Sequence, residues 1–217
     1  MRNKITFNEF ISIFKNTIII TNSDIKKVFP SISADSTHLW NKKKYLVRIG
    51  KGIYFNNYFF KNKLNEQLLF LIANNAYSPS YVSLESALNY YGLIPEAVTN
   101  VTSITTKKTN TLNYDIGEFI YKSIKPSLMF GYDLIKKDNF YYKIATAEKA
   151  IVDLLYLNPN LKTFDDFEGI RINTEYFDEV IDRDKILEIT KKIGSKSLNM
   201  RVLKLIKFID YDKSNWY

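Results

Sequence analysis

Two β-prone runs that flank the tripeptide Gly50-Lys51-Gly52 constrain the fold of the first 60 residues most strongly. A glycine-containing turn between short runs of β-branched and aromatic residues is typical of a β-hairpin. Three short helical patterns precede it, over about 6–15, 24–29 and 34–43, and Ser31 or Ser33 is the expected cap of the third. Three helices followed by a hairpin predict a winged helix-turn-helix.

The net positive charge of the chain lies in this same N-terminal segment. Residues 1–63 hold 12 Lys and Arg against three Asp and Glu, a net charge of +9, whereas residues 64–217 hold 19 against 20. A basic module beside a near-neutral one is the charge distribution expected of a nucleic-acid-binding protein. The alternative is a lysine-rich surface that serves solubility alone.

The third helical pattern is the element predicted to read bases. With its buried stripe centred between Leu39 and Trp40, His38 points outward. Side-chain donors and acceptors read base edges, while lysines on the helix and basic residues on the hairpin bind phosphates. For His38, an ordinary surface residue is the competing interpretation. The predicted DNA-binding residues are Thr37, His38, Asn41, Lys42, Lys43, Lys44, Arg48 and Lys51.

The remaining residues predict a second, larger domain. Helical patterns over about 62–75, 84–91 and 147–157 alternate with β-prone runs over 98–106, 116–124, 129–136 and 140–145, and helical patterns over 173–181, 184–193 and 197–209 follow. The expected fold class is therefore α+β. We predict a winged helix-turn-helix domain over 1–62 and a mixed α/β domain over 63–217, with a small β-sheet and a helical C-terminus.

The sequence predicts no catalytic centre, metal site or cofactor. It has no Cys, and its single His, His38, lies in the predicted base-reading helix, which removes most nucleophile–base pairs. No glycine-rich phosphate loop is present. Gly194-Ser195 followed by Asp210 and Asp212 resembles a nucleotidyltransferase signature, but a helix start and a solvated tail are the expected interpretation. Asp165-Asp166 predicts a loop turn.

The sequence also predicts a cytoplasmic protein without a membrane segment. No apolar run approaches the roughly 20 residues that cross a bilayer. The N-terminal residues read as an amphipathic helix rather than a signal peptide. The absence of Cys fits a reducing compartment.

Three segments carry a resemblance to a known family. They are Leu46–Tyr54, Pro79–Glu96 and Ala145–Asp153, in this order and spacing. Together they resemble the AbiEi-type antitoxins of type IV toxin–antitoxin (abortive infection) systems, over about residues 6–160. One departure lies just before Tyr45, where a glycine is usual and this chain has Lys44.

The resemblance implies a function for each domain. The winged helix would bind inverted repeats in double-stranded DNA upstream of its own operon and repress it, with Lys42, Lys43, Arg48 and Lys51 as DNA contacts and self-association on the DNA as a further expectation. The C-terminal domain would neutralise a nucleotidyltransferase-like toxin without forming a stable complex. Close helix packing is the competing interpretation of its motif residues, which are Ser83, Glu85, Ser86, Tyr91, Thr146, Glu148, Lys149 and Asp153.

Two other functional interpretations stay open. The first is a stand-alone winged-helix transcriptional regulator, whose C-terminal domain oligomerises or senses a ligand. A neighbouring nucleotidyltransferase-like reading frame would favour the antitoxin over this alternative. The second is an enzyme that acts on nucleic acid and uses the basic domain as a tether; its activity would be lost on mutation of Asp210 and Asp212, and we expect no such activity.

Overall fold

The computed structural model describes residues 5–95 and 99–214, and within these ranges the fold class is α+β, as predicted. The α-helices are α1 Phe7–Phe14, α2 Asn22–Val28, α3 Ala34–Lys42, α4 Asn57–Phe60, α5 Glu66–Ala76, α6 Leu84–Tyr90, α7 Ala147–Leu157, α8 Phe164–Glu168, α9 Phe177–Val180, α10 Arg183–Ile193 and α11 Lys196–Ser214. The β-strands are β1 Ile19–Thr21, β2 Val47–Gly50, β3 Ile53–Phe55, β4 Ser80–Val82, β5 Asn100–Thr105, β6 Asn110–Tyr114, β7 Gly117–Ser123, β8 Tyr132–Lys137 and β9 Phe140–Ala145. Short 3₁₀ turns cover Lys61–Lys63 and Pro126–Leu128.

The N-terminal part contains three helices and a three-stranded antiparallel sheet in the order β1-β3-β2. Local polar residues begin the helices: Thr6 and Thr21 each form a reciprocal capping box with the acidic residue three positions on, and Ser33 caps α3. The predicted helices and hairpin are present, whereas β1 was not predicted. Their shared core is built from the buried residues Phe10, Ile11, Phe14, Ile20, Ile25, Trp40, Leu46 and Tyr54.

The larger sheet has six strands in the order β6-β7-β5-β4-β9-β8. Its inner pairs β5–β7 and β4–β9 are parallel, and β4–β5, β6–β7 and β8–β9 are antiparallel. This mixed sheet is larger than the small one expected, because β4 and β6 were not predicted. The predicted start of β5 at Val98 lies outside the described residues.

Helices cover both faces of this sheet. On one face lies α5, where the carbonyl of Ala73 accepts a hydrogen bond from the Tyr121 hydroxyl at 2.8 Å. On the other face α6 is joined to β5, since the Thr102 backbone N–H donates to Ser86 Oγ at 2.8 Å. Helix α7 packs beside α6, and α10 and α11 pack on α7. The sheet therefore lies between one helix and a double helical layer, an arrangement that buries both faces of the central strands β4 and β5.

The β2–β3 hairpin packs against both parts of the chain. Tyr54 and Leu46 lie in the N-terminal core, whereas Ile49 and Phe55 lie in the core of the larger sheet. The Tyr114 hydroxyl donates to the carbonyl of Ile49 at 2.7 Å. The predicted boundary between residues 62 and 63 falls in the connection from α4 to α5, but the hairpin itself belongs to both hydrophobic clusters.

Two predictions about the C-terminal third are wrong. Asp165-Asp166 lies in α8 rather than in a loop turn, because Thr163 caps that helix and Asp166 accepts the Thr163 N–H in return. The helical pattern over 173–181 forms only α9, Phe177–Val180. In the part of the chain that the structure describes, no helix is long and apolar enough to cross a membrane.

Candidate nucleic-acid interface

A groove of about 350 Å³ between α3 and the β2–β3 hairpin collects most of the predicted DNA-binding residues. Asn22, at the start of α2, and the hairpin tip close one end of it. Among the described residues that line the groove, none is acidic. The predicted residues found there are Thr37, His38, Asn41, Arg48 and Lys51.

Hydrogen bonds hold the hairpin in a defined position relative to α3 and α2. Asn41 Oδ1 accepts the backbone N–H of Arg48 at 2.8 Å, and the backbone N–H of Asn22 donates to the carbonyl of Gly52 at 2.8 Å. Gly52 has φ +71°, and a Cβ there would lie only 2.6 Å from the Asn22 amide nitrogen. A glycine is therefore required where the hairpin tip meets α2. Helix and hairpin present one continuous surface.

The exposed face of α3 differs from the predicted one. Trp40 is buried, as predicted, and so is Thr37, predicted on the flank, whereas Leu39, predicted at the centre of the buried stripe, has 44% of its surface exposed. The Trp40 ring packs on Phe10 with ring centroids 4.4 Å apart, and this contact turns the buried stripe towards residues 37 and 40. His38 is exposed, as predicted, and Lys42, predicted on the flank of the helix, is exposed one helical turn later. Thr37 uses its hydroxyl to donate to the Ala34 carbonyl at 2.9 Å.

Lys43 and Lys44 follow the end of α3 and lie outside the lining of this groove. Lys43 Nζ lies 5.9 Å from the centre of the Tyr45 ring. Lys44 pairs with Asp115, in the turn between β6 and β7, at 2.5 Å. Lys44 has φ +57°, the left-handed conformation that glycine adopts most easily. The backbone at this turn therefore has a conformation that glycine would adopt with less strain than lysine.

Two of the three family-like motifs, Pro79–Glu96 and Ala145–Asp153, meet at a buried polar cluster between β4 and α7. Lys149 pairs with Asp153, one turn later on the same helix, and both side chains are almost completely buried. Asp153 Oδ2 accepts the hydroxyls of Tyr81 at 2.8 Å and Ser83 at 2.9 Å. Lys149 Nζ also donates to the Tyr81 oxygen at 3.0 Å. We call these four residues the Lys149–Asp153 cluster.

The electrostatics of this cluster follow from its burial. Removal from water raises the pKa of the Asp153 carboxyl group, and the Lys149 ammonium and two hydroxyl donors oppose that shift. Burial and the neighbouring Asp153 charge raise the pKa of Tyr81, so that its hydroxyl stays protonated and donates. Sequence reasoning missed Tyr81 as a functional position, because its partner Asp153 lies 72 residues further along the chain.

The other motif residues also make internal contacts. Tyr91 donates its hydroxyl to the Ala145 carbonyl at 2.9 Å, and Thr146 caps α7. Glu148 is buried and pairs with Lys185 of α10 at 3.0 Å. Ser83 occupies the N-cap position of α6, but its hydroxyl goes to Asp153 and not to the helix. Only Glu85 of the eight is exposed, so the geometry favours packing as the role of most of them.

The carboxylates considered for catalysis have structural partners. Asp210 pairs with Arg183 at 2.8 Å, and Asp212 accepts the Thr174 hydroxyl at 2.6 Å. Gly194 ends α10 in a left-handed conformation, with φ +73°. Within residues 5–95 and 99–214, no group of three or more His, Asp or Glu side chains is placed to hold a metal ion.

Comparison of the chain with protein-family models finds no family that matches, and no curated protein matches it. The resemblance to the AbiEi-type antitoxins therefore stays a prediction from the sequence motifs.

Proposed function

We propose that this chain is a cytoplasmic DNA-binding regulator that represses its own operon. The observation that carries the proposal is the acid-free groove between α3 and the hairpin, in which Arg48 and Lys51 stand beside the outward-facing His38. Residues 5–55 contain the three helices and the following hairpin from which the sequence predicts a winged helix-turn-helix, with β1 added between α1 and α2. The net charge of +9 on residues 1–63 supplies the attraction to phosphates.

In this proposal α3 enters the major groove of duplex DNA and the hairpin lies along the backbone. The major groove is about 12 Å wide and admits one helix. His38 would then face base edges, while Lys42, one turn later, would face a phosphate. Arg48 and Lys51 would contact phosphates on the flank of the site. Inverted repeats would place two such chains on the DNA, with self-association between them.

The antitoxin half of the proposal rests on the motif resemblance. A chain of this type would counteract a nucleotidyltransferase-like toxin through its C-terminal domain without a stable complex. Because five of the eight motif residues are buried, they would act by keeping the fold of that domain. Co-expression with the product of a neighbouring nucleotidyltransferase-like reading frame tests this half, and growth rescue by the chain is the expected result.

A stand-alone regulator that senses a ligand is the second candidate. A cavity of about 680 Å³ between α6 and the sheet favours it, with Leu88, Ile120 and Leu154 on its apolar side and Glu85 and Lys122 among its polar residues. Clefts of this size are typical of small-molecule sites. A small molecule that changes the affinity for operator DNA would support this candidate.

The decisive experiment is a titration of the purified chain with a labelled duplex from immediately upstream of its gene. A shuffled duplex is the control, and both are measured at several salt concentrations. We expect sequence-dependent binding, with a slope of log affinity against log salt of about −0.9 for each phosphate contact. Lys42→Glu, Arg48→Glu and Lys51→Glu should each weaken binding.

Lys136→Glu is the matched control variant. Lys136 is an exposed residue of the edge strand β8, and the substitution changes the net charge of the chain by the same amount. Two outcomes would show that the chain binds DNA only through a basic surface. The first is equal affinity for the two duplexes, and the second is an equal loss of DNA affinity in Lys136→Glu and the three interface variants. The regulator proposal would then be wrong.

A further inference from the structure

Helix α11 has an outer face with several exposed apolar side chains. Its inner face buries Leu198, Val202, Leu205, Phe208 and Ile209. On the outer face Met200 has 66% and Leu203 38% of its surface exposed, and Tyr211 is also exposed. Met200, Lys204, Lys207 and Tyr211 follow one another at intervals of three or four residues, so they form a single stripe along the helix.

This stripe borders a groove of about 720 Å³ between α11 and the start of α8, which we call the α11 groove. Its lining is mostly apolar, with Phe164, Met200 and Leu203. Among the described residues that line it, none is acidic. The cationic lining residues are Lys162, Arg201, Lys204 and Lys207.

Arg201 adds a buried positive charge to this groove. Only 9% of its surface is exposed, and its guanidinium donates to neutral acceptors, the carbonyls of Leu155 at 3.0 Å and Pro159 at 3.3 Å and the Ser197 hydroxyl at 3.4 Å. Its Nε has no hydrogen-bond partner. A buried charge without a counter-charge costs free energy, which a carboxylate brought near it would offset.

An acidic side chain beside the groove already has hydrogen-bond partners. Asp166, on α8, lies close enough to Lys204 for the lysine charge to help lower its pKa, after the backbone hydrogen bond from Lys162 that is the main cause. Its carboxylate accepts the backbone N–H groups of Lys162 at 2.9 Å and Thr163 at 2.7 Å. Asp166 therefore stabilises the start of α8 and offsets part of the charge of Lys204, which leaves the groove lining, with its four cationic residues, net positive.

We propose that the α11 groove binds an acidic amphipathic helix of a partner protein. Such a helix would place apolar side chains at positions i, i+3/i+4 and i+7 against Phe164, Met200 and Leu203. Its flanking carboxylates would face Lys162, Lys204 and Lys207, where the charges are complementary. A duplex DNA partner would not use the apolar lining, which is the larger part of the groove. This inference does not depend on the proposed DNA binding.

The test uses the full chain and a designed peptide, followed by fluorescence anisotropy. The probe is a labelled peptide of about five helical turns, or roughly 18 residues, with Leu at i, i+3/i+4 and i+7 spacing and Glu elsewhere. One control peptide has the same composition in scrambled order, and a second has Lys in place of Glu. We expect saturable binding of the probe alone, weakening as salt is raised.

Two double variants locate the binding site. Lys204→Glu/Lys207→Glu should weaken binding of the probe by about tenfold or more, since rim charges would then repel its carboxylates. Lys136→Glu/Lys137→Glu changes the net charge equally, on β8, and should leave the affinity unchanged. Thermal unfolding followed by circular dichroism shows that each variant is folded.

Four outcomes would overturn the proposal. The first is equal binding of the probe and its scrambled control, and the second is equal affinity of the two double variants for the probe. The third is that Lys204→Glu/Lys207→Glu loses affinity for DNA but keeps its affinity for the peptide. The fourth is that Met200→Ser/Leu203→Ser dissociates a dimer of the chain, as measured by sedimentation. The third would assign the α11 groove to DNA and the fourth to a second copy of the chain.

Discussion

Lys149 and Asp153 form an ion pair one turn apart on α7, and water reaches neither side chain: Lys149 is 0% and Asp153 2% exposed. Tyr81 of β4 completes the arrangement by hydrogen bonding with both. The pair therefore ties the first helix after the sheet to a central strand. It explains the Ala145–Asp153 motif through the stability of the fold, without a partner on the surface.

Asp153→Asn should destabilise the chain by about 3–5 kcal/mol, because it leaves the Lys149 ammonium buried without a counter-charge. The free energy of unfolding from guanidinium titration measures this loss. Lys149→Met/Asp153→Asn should lose less than Asp153→Asn alone, since it removes both charges and keeps a side chain that can meet the Tyr81 and Ser83 hydroxyls.

An exposed ion pair provides the control for this prediction. Asp115→Asn breaks the pair between Lys44 and Asp115 at the surface and should cost less than about 1 kcal/mol. If Asp153→Asn costs no more than Asp115→Asn, the cluster does not stabilise the fold as argued. DNA affinity of the folded fraction should be the same in the two cluster variants as in the wild type.

His38→Ala and Lys42→Ala should differ in how they weaken DNA binding. Lys42→Ala removes a proposed phosphate contact, so affinity should fall equally for operator and shuffled duplexes, and the salt slope should shrink by about 1. His38→Ala should lower affinity for the operator alone, by about 1 kcal/mol, the low end of the range for base contacts. Equal effects of both variants on the two duplexes would show that α3 does not read bases.

The elements that the sequence predicts well are those whose ends are encoded locally. Ser33 and Thr146 cap α3 and α7 with their own side chains, so α7 begins where predicted and α3 begins after one of its two expected caps. By contrast, β1 and β4 have three residues each, and the polar strand β6 is a sheet strand only through its pairing with β7. Whether such a segment forms a strand depends on partner strands that are distant in sequence, so a short local pattern does not predict it.

The candidate site was predictable to a similar degree. The outward position of His38 follows from helical spacing. The burial of Thr37 does not, because it depends on how Trp40 packs against Phe10 of another helix. The spacing of Lys149 and Asp153 is visible in the sequence, but their burial depends on β4, whose Tyr81 lies 72 residues before Asp153.

Lys44→Gly should stabilise the chain relative to Lys44→Ala by about 1 kcal/mol. Both variants lose the exposed ion pair with Asp115, but only glycine relieves the strain of φ +57°. Thermal and guanidinium unfolding of the two variants isolate this difference. Equal stabilities would mean that the turn between α3 and β2 is not strained. Lys44 lies outside the groove lining, so DNA affinity should change less than in Arg48→Glu.

Asp178 should contribute to stability at neutral pH and lose that contribution in acid. Arg183 donates to it at 2.6 Å and Lys213 at 2.7 Å, and these partners, Arg183 foremost, hold the pKa of Asp178 below its ordinary value of 3.8. A lowered pKa means that stabilisation is present above pH 3.8 and disappears as the pH falls through the folded-state value. Asp178→Asn should therefore be less stable than the wild type at pH 7, by about 1 kcal/mol or less because the group is partly exposed. The stabilities of the two should converge below pH 3.8.

Glu188→Gln, on the exposed face of α10, is the control, and its stability should change with pH in the same way as that of the wild type. A constant difference between Asp178→Asn and the wild type from pH 7 to pH 2 would show that Asp178 does not link α9 to α10 and α11 through its charge.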